Sequence, residues 1–241
     1  MKSQPTISIV TVTLNAATVL PLLIESLRQQ TDFDFTWSVF DGGSHDSSVD
    51  LIQQCGLPNV RLTVGRDFGI YDAINQCIST VDTDYYLVCG ADDTLHPDAI
   101  ARFRFAATES QADIISASVD IDDWVLRPRQ GRGWLLGMPG IASSHSVGML
   151  IRRNLHERFG KYSHRLPIAA DQLFVKSAHR GGAKFHHADF IAGRYGTAGT
   201  SGTDMAGMLT EAFRVQRLTE GRKFIQVALF FARLLKHYRR L

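Results

Sequence analysis

Residues 85–93 read Y-Y-L-V-C-G-A-D-D, an apolar run that ends in two adjacent carboxylates. The run has the length and composition of a buried strand. Adjacent carboxylates repel each other, so the end of a strand is a poor place for them unless a positive group binds there. Two alternatives follow for Asp92 and Asp93: a turn that carries two solvated acids, or a metal site.

The same pattern of a short apolar strand followed by a helix occurs four times in about the first 105 residues. The strand and helix ranges are 7–12 and 19–27, 37–40 and 46–54, 60–64 and 71–80, and 85–89 followed by a helix opened by Pro97. Such alternation predicts an α/β fold, with a mostly parallel sheet covered by helices on both faces. Two further strands are expected at 113–118 and 147–151.

Composition limits the classes of protein that fit this chain. Its 241 residues are 44% hydrophobic and carry a net charge of +2, which suits one large domain and gives no reason to expect nucleic-acid binding. The three cysteines follow neither a disulfide nor a zinc pattern. We see no secretion signal and no apolar stretch of the ~18 to 20 residues that a membrane span needs. These features predict a cytoplasmic protein.

Polar residues follow each of the four predicted strands. In an open parallel sheet, ligands bind outside the carboxyl ends of the strands. Asp, Asn, Ser and Gly are also ordinary turn and cap residues, but four clusters on one edge favour a ligand site. The clusters are Thr13 and Asn15, then Asp41 with Gly42 to Ser44, then Asp67 with Gly69, and finally Asp92 with Asp93.

The chemistry of these clusters suggests a nucleoside diphosphate bound with a metal ion. Carboxylate oxygens suit hard divalent cations, which can bridge phosphates that bare aspartates would repel. Asp41 could accept a hydrogen bond from a base N–H. The chain contains neither G-x-x-x-x-G-K-[ST] nor, after its first strand, G-x-G-x-x-G. A phosphate-binding P-loop and a dinucleotide-binding turn are therefore not expected.

Four segments together resemble the successive signatures of family 2 glycosyltransferases with the GT-A fold, especially the branch of bacterial polysaccharide-assembly enzymes. They are I-S-I-V-T-V-T-L-N (7–15), V-F-D-G-G-S-H-D-S-S (39–48), R-D-F-G-I-Y-D-A-I-N-Q-C-I (66–78) and Y-L-V-C-G-A-D-D (86–93). The resemblance implies a Rossmann-like sheet and a nucleotide-sugar donor, usually UDP-linked.

The resemblance also implies roles for individual residues. It places Asp41 near the base, Asp67 near the nucleoside, and Asp92 beside the donor sugar and ribose. Asp93 is implied as the ligand of Mn(II) or Mg(II), at a strand end and not in the core. The predicted donor-binding set is Thr13, Asn15, Asp41, Asp67, Gly69, Asp72, Asn75, Asp92 and His145.

Two segments of the second half extend the resemblance, and a third resembles a late loop of the branch. S-S-H-S-V-G-M-L-I-R-R (143–153) resembles the His-Gln segment of the branch with Ser146 where Gln is usual, so His145 is either an active-site contact or a packed strand residue. L-P-I-A-A-D-Q-L-F (166–174) matches the place of the catalytic base, which makes Asp171 the candidate; alternatively, Asp171 only caps a helix over 172–180. G-T-A-G-T-S-G (196–202) either closes over the donor phosphates or is a flexible turn.

These expectations combine into an inverting glycosyltransferase of the hexosyl or N-acetylhexosaminyl type. Asp171 would deprotonate an acceptor hydroxyl, and the metal on Asp93 would take up charge on the leaving diphosphate. The acceptor would be a glycan or a lipid-linked molecule in polysaccharide biosynthesis. The catalytic domain would span 1–221, with a nucleotide-sugar half over about 1–118 and an acceptor half over about 119–221. The alternatives are a non-catalytic nucleotide-sugar-binding or accessory subunit, and a nucleotidyltransferase.

Residues 222–241 predict a basic amphipathic helix. This segment holds six Lys or Arg residues and no acid, and its apolar run is too short to span a bilayer. It is expected either to lie on the inner face of the cytoplasmic membrane as a peripheral contact, or to pack on protein. In the second case Phe224, Ala228, Phe231 and Leu235 would pack on the catalytic domain or on a second subunit of a homodimer.

Overall fold

The computed structural model describes residues 4–121, 124–196 and 204–240. Most of the loop 196–202 and its predicted role therefore lie outside the described residues. The strands are β1 Ile7–Thr13, β2 Phe35–Asp41, β3 Val60–Val64, β4 Tyr85–Val88, β5 Thr94–Leu95, β6 Ile114–Ile121, β7 Trp124–Leu126, β8 Met149–Arg152 and β9 Phe185–Arg194. The α-helices are α1 Leu20–Arg28, α2 Ser48–Gln53, α3 Ile70–Thr80, α4 Ala99–Ser110, α5 Gly133–Leu136, α6 Leu155–Phe159, α7 Ala170–Arg180, α8 Met205–Thr219 and α9 Lys223–His237.

The described strands form one sheet in the order β3-β2-β1-β4-β8-β6-β9-β5, with β7 paired to β6. The first four strands are parallel, as their alternation with helices predicts. The second half is mixed, because β8 runs antiparallel to both β4 and β6 while β9 runs parallel to β6. The predicted division near residue 118 stays a prediction about function, since β6 crosses it without a break.

The core has two layers because successive residues of a strand point to opposite faces. On β1, Ile9 belongs to the cluster beneath α1 and α4, whereas Val10 belongs to the cluster beneath α3 and α7. Trp37 and Phe103 are fully buried in the first cluster. Both faces of the sheet are therefore covered, which leaves the edge formed by the carboxyl ends of the strands open to a ligand.

The two C-terminal helices form a hairpin. The ring of Phe213 on α8 stacks on that of Phe230 on α9, with 4.5 Å between centroids. Gln226 is fully buried and donates from Nε2 to the Trp134 carbonyl oxygen at 2.7 Å, and Arg233 donates to the Leu135 carbonyl oxygen. One face of α9 thus rests on α8 and α5. None of the helices in the described part of the chain is both long and apolar enough to cross a bilayer.

Candidate active site

A cavity of about 550 Å³ opens at the carboxyl ends of β1 and β4, and we call it the cleft. Its walls contain six of the predicted site residues: Thr13, Asn15, Asp92, Asp93, His145 and Asp171. The other five do not line it: Asp41, Asp67, Gly69, Asp72 and Asn75. The fold therefore brings the candidate metal ligand and the candidate base, 78 residues apart in sequence, to one cleft.

Asp93 lies in the turn after β4 and is held by backbone groups. It is only 2% exposed, so the expectation that it lies outside the core is wrong. Its Oδ2 accepts from the Gly90 N–H and its Oδ1 from the Gly196 N–H, both at 2.8 Å. Burial raises the pKa of Asp93 to about 7, although both hydrogen bonds act to lower it. This carboxylate needs positive charge nearby to be ionised at low cost.

Asp92 supplies an oxygen that has no partner. Its Oδ2 is buried and accepts no hydrogen bond from the described residues. A buried and unpaired carboxylate oxygen is costly unless a ligand satisfies it. No cluster of three or more His, Cys, Asp or Glu side chains suited to a metal occurs within the described ranges. Asp92 and Asp93 together therefore fit a divalent cation that takes its remaining ligands from a bound diphosphate and water.

Asp171 lies in the first turn of α7 and is bonded to a tyrosine from the first half of the chain. The Tyr71 hydroxyl lies 2.8 Å from Asp171 Oδ1 and 3.0 Å from the Ile168 carbonyl oxygen. Burial raises the pKa of Asp171, while the Tyr71 hydrogen bond acts in the opposite direction. The helix begins at Ala170 with Ala169 at the cap position, so Asp171 is not the N-cap residue, although its Oδ1 also accepts from the Gln172 N–H at 2.8 Å.

A glutamate from α8 caps α7 instead. Glu211 Oε2 accepts from the backbone N–H groups of Ile168 at 2.9 Å and Ala169 at 2.8 Å. Glu211 is buried, so these are charge-assisted bonds in a poorly solvated place. They fix the start of α7, and with it the backbone that carries Asp171.

His145 lies within electrostatic range of the two acidic parts of the cleft. The charges of Asp171 and Asp92 both act on its pKa, but burial dominates and lowers that pKa to about 4. Its ring centroid is 4.1 Å from that of Tyr195. His145 precedes β8 by several residues, so the alternative of a packed strand residue is wrong. A neutral imidazole here can exchange hydrogen bonds with a substrate without adding charge.

The ends of β1 and β2 are tied together by the polar residues of both loops. Thr13 Oγ1 donates to Asp41 Oδ2 at 2.7 Å, and Asn15 Oδ1 accepts from the His45 N–H at 2.9 Å. Asn15 has a φ of 51°, a left-handed conformation that asparagine tolerates better than most residues. Thr13 and Asn15 thus shape the wall of the cleft as well as lining it.

Asp41 is fully buried and its carboxylate is saturated by protein donors. Oδ1 accepts from the Gly43 and Ser44 N–H groups, and Oδ2 accepts from the Thr13 and Ser44 hydroxyls. Burial acts to raise the pKa of Asp41, but these four bonds outweigh it and lower the pKa. This arrangement does not support direct contact between Asp41 and a base, because no lone pair is left for it. Asp41 instead holds the D-G-G-S loop in shape.

The loop after β3 lies against the loop after β2. A Cβ on Gly42 would lie 2.6 Å from Asp67 Oδ2, so a larger residue at this position would require the Asp67 carboxylate to move. Asp67 Oδ1 accepts from the Gly69 N–H at 2.8 Å, and Gly69 has a φ of 109°. Asp67 and Gly69 therefore form one turn beside the cleft, and their contact with a nucleoside stays a prediction.

Asp72 and Asn75 bond to protein groups and do not line the cleft, and their contact with a donor stays a prediction. Asp72 Oδ2 accepts from the Phe68 N–H and from Gln76 Nε2, each at 3.0 Å. Asn75 is buried, and its amide bonds both the N–H and the carbonyl oxygen of Tyr162. The two side chains brace α3 so that Tyr71, on the same helix, faces the cleft.

Sequence reasoning missed Tyr71 and Glu211. Tyr71 stands inside the G-I-Y-D-A-I-N segment, so that motif is the signal that could have found it. Glu211 lies in a helix without a recognisable motif, and its partners at 168 and 169 are more than 40 residues away. No local pattern marks such a contact.

Comparison with solved structures identifies the architecture. TarS of S. aureus, residues 1–349 in complex with UDP-GlcNAc, superposes with a TM-score of 0.73 at 16% identity, over 97% of this chain and 73% of TarS. The mannosyltransferase PcManGT of Pyrobaculum calidifontis, in complex with GDP-Man and Mn²⁺, gives a TM-score of 0.64 at 12% identity, over 99% of this chain and 76% of that one. The fold is of the GT-A glycosyltransferase type.

Sequence comparison identifies the family. The PGL/p-HBAD biosynthesis glycosyltransferase of Mycobacterium tuberculosis is 32% identical over 182 residues, which cover 71% of this chain and 69% of the relative. The profile described as glycosyl transferase family 2 matches residues 8–165, which include the first three strand-end clusters, the A-D-D turn and His145. The chain therefore belongs to glycosyl transferase family 2 and is a glycosyltransferase.

Proposed function

We propose that this enzyme transfers a hexose or N-acetylhexosamine from a UDP-sugar, with inversion, to a hydroxyl of a glycan or lipid-linked acceptor. The observation that carries the proposal is that one cleft is lined both by Asp92 and Asp93 and by the Tyr71–Asp171 pair. An inverting displacement needs a base on the acceptor side and stabilisation of the leaving diphosphate on the donor side.

The donor side is assigned to the loops after β1, β2 and β4. Structural relatives hold UDP-GlcNAc and GDP-Man, so nucleotide sugars are the ligand class that this fold accepts. The touching loops around Gly42 and Asp67 offer a place for the nucleoside, next to Thr13 and Asn15 in the wall of the cleft. The diphosphate then reaches the turn that carries Asp92 and Asp93.

Mn(II) or Mg(II) would be held by Asp92 and Asp93. The unpartnered Asp92 Oδ2 and the raised pKa of Asp93 both favour a bound cation, which removes the cost of two adjacent buried charges. When bound, such a cation acts as a Lewis acid toward the phosphate oxygens. The backbone N–H groups of Gly90 and Gly196 orient Asp93 for this contact.

Asp171 is the proposed base. It accepts the proton of the acceptor hydroxyl as that oxygen attacks the anomeric carbon, and the bond from the anomeric carbon to the diphosphate breaks. Its burial raises its pKa toward the range in which a carboxylate is an effective base. Tyr71 holds Oδ1, which leaves Oδ2 for the incoming hydroxyl. His145, neutral at pH 7, is placed to bond substrate hydroxyls.

The acceptor class rests on the motif resemblance and on a relative. The mycobacterial relative is named a PGL/p-HBAD biosynthesis glycosyltransferase. We therefore assign this enzyme to the assembly of a polysaccharide or glycolipid, with a glycan or lipid-linked acceptor.

The test is a panel of UDP- and GDP-sugars assayed for release of nucleoside diphosphate, with Mn(II) and with excess EDTA. We expect turnover of a UDP-sugar that EDTA abolishes and that Asp171→Asn lowers by roughly 10²-fold or more, with donor affinity within a few-fold of wild type. Asp189→Asn, at an exposed position outside the cleft, is the matched control. Donor binding without turnover would favour an accessory subunit, and release of pyrophosphate would favour a nucleotidyltransferase.

A further inference from the structure

The outward face of α9 is an exposed apolar stripe. Phe224 is 92% exposed, Phe231 59%, Leu235 75% and Tyr238 63%. At 100° per residue these four positions fall within about 60° of one another around the helix. Leu218 at the end of α8 is also exposed, and we call these five residues the C-terminal patch. The expectation that Phe224, Phe231 and Leu235 pack on the catalytic domain is therefore wrong.

The contacts that hold α9 on the domain come from its opposite face. Gln226, Phe230 and Arg233 make the contacts with α8 and α5. The helix is thus held in place by one stripe while a second, more apolar stripe faces solvent. Contiguous exposed apolar surface on a folded domain marks an interaction site.

The charges around the patch are of one sign. Exposed cations flank it on both helices: Arg214, Arg217, Arg222, Lys223, Lys236 and Arg239. The two acids of residues 205–239 are used inside the protein, because Glu211 caps α7 and Glu220 pairs with Lys176 Nζ at 2.5 Å. Nothing negative among the described side chains of these two helices is left to meet a partner.

We propose that the C-terminal patch binds an anionic membrane surface, with α9 lying flat and its apolar stripe among the lipid headgroups and upper acyl chains. Aromatic and leucine side chains flanked by lysine and arginine are the composition of interfacial helices. A second copy of this chain fits less well, since a symmetric contact would bring the same cations together without acids to pair with them.

The patch is connected to the cleft through α8. Met208 near the start of this helix lines the cleft, and Leu218 lies ten residues further along it. A rise of 1.5 Å per residue makes that separation about 15 Å. A bilayer bound at the patch would therefore lie close to the entrance for an acceptor carried by a lipid. Membrane binding by the C-terminal patch does not depend on the proposed transferase activity or on its donor sugar.

Sedimentation with vesicles of phosphatidylcholine alone, or mixed with phosphatidylglycerol, tests the proposal. We expect the full chain to bind the anionic vesicles at low salt. The variant Phe224→Ser/Phe231→Ser/Leu235→Ser should bind at least 100-fold more weakly, since each buried side chain of this size contributes roughly tenfold or more. Lys223→Gln/Lys236→Gln/Arg239→Gln should lose roughly 100-fold on anionic vesicles only, at about fivefold per cation.

Leu22→Ser/Phe105→Ser is the matched control, because both side chains are about as exposed as the patch residues but lie on α1 and α4. It should bind vesicles as the wild type does. All variants should keep the wild-type thermal midpoint, which separates lost binding from lost folding. The proposal is overturned if the full chain does not bind anionic vesicles, or if the patch variant binds them equally well. If the wild type is a dimer, the patch variant is a monomer and neither protein binds vesicles, the patch is assigned to a second copy of the chain.

Discussion

Replacing Tyr71 by Phe should move the pH dependence of turnover without removing it. The hydroxyl of Tyr71 lies 2.8 Å from Asp171 Oδ1 and acts to lower the pKa of that carboxyl. A hydrogen bond to a charged group is worth about 1.5 to 3 kcal/mol, and one pKa unit corresponds to about 1.4 kcal/mol. The pKa of Asp171 should therefore rise in Tyr71→Phe, because the ionised carboxylate loses this bond.

The direction of the effect follows from the role of Asp171. A base works only when it is ionised, so kcat/KM falls as the pH drops through its pKa. A higher pKa moves this acidic limb to higher pH, and Tyr71→Phe should lose about 10- to 100-fold at low pH while recovering much of its rate above the new pKa. Asp171→Asn should lack the part of the limb that Tyr71→Phe moves, because its amide does not titrate.

The assay is the release of nucleoside diphosphate, measured as kcat/KM from about pH 5 to pH 9. Tyr162→Phe is the matched control, since Tyr162 also lines the cleft but its hydroxyl bonds Tyr86 and not Asp171. It should leave the acidic limb in place. If the acidic limb of Tyr71→Phe stays where it is in the wild type and kcat/KM falls equally at every pH, the assignment of Asp171 as a base tuned by Tyr71 is refuted.

Three further substitutions test other parts of the site. Gly196→Ala places a Cβ 2.2 Å from the Asp92 carbonyl oxygen. It should lower donor affinity, measured by calorimetry, at least 10-fold. Gly221→Ala has nothing near its Cβ and should leave donor affinity unchanged. Glu211→Gln weakens the cap on α7 and should lower the free energy of unfolding by about 1 to 3 kcal/mol. The thermal midpoint should fall by about 2–4 °C for each kcal/mol lost. Glu109→Gln, at an exposed position, is the control. Asp93→Asn should abolish metal-dependent turnover; full activity in that variant would contradict the metal assignment.

The parallel half of the sheet could be predicted because each of its strands is a short apolar run followed by its own helix. The mixed half could not, since β6, β8 and β9 pair across long sequence distances, and only the short strand β7 and the four-residue helix α5 lie between β6 and β8 among regular elements of the described residues. Two of the four strand-end clusters, those after β1 and β4, line the cleft. Their local chemistry could not show which members face it.

Asn75 and Asp171 show why the site was only partly predictable. Both are polar helix residues in a family-like motif, but the partner of Asn75 is the backbone of Tyr162, while Asp171 meets Tyr71 at the cleft. Those partners lie 87 and 100 residues away in sequence. The outcome therefore depends on tertiary packing that a local pattern does not contain. The helical spacing of the apolar residues in 224–235 predicted the apolar stripe. It could not predict whether that stripe faces the domain or solvent.

The passage of β6 through the middle of the sheet bears on how the enzyme moves. β6 pairs with β8 on one side and β9 on the other, and β8 continues to β4, so a single hydrogen-bonded ladder runs from the nucleotide side to the acceptor side. Rotating one half against the other would break several of these bonds at once. We therefore expect no hinge between the halves: the catalytic cycle should open and close through connecting loops on a rigid floor, and product release should be limited by those loops alone.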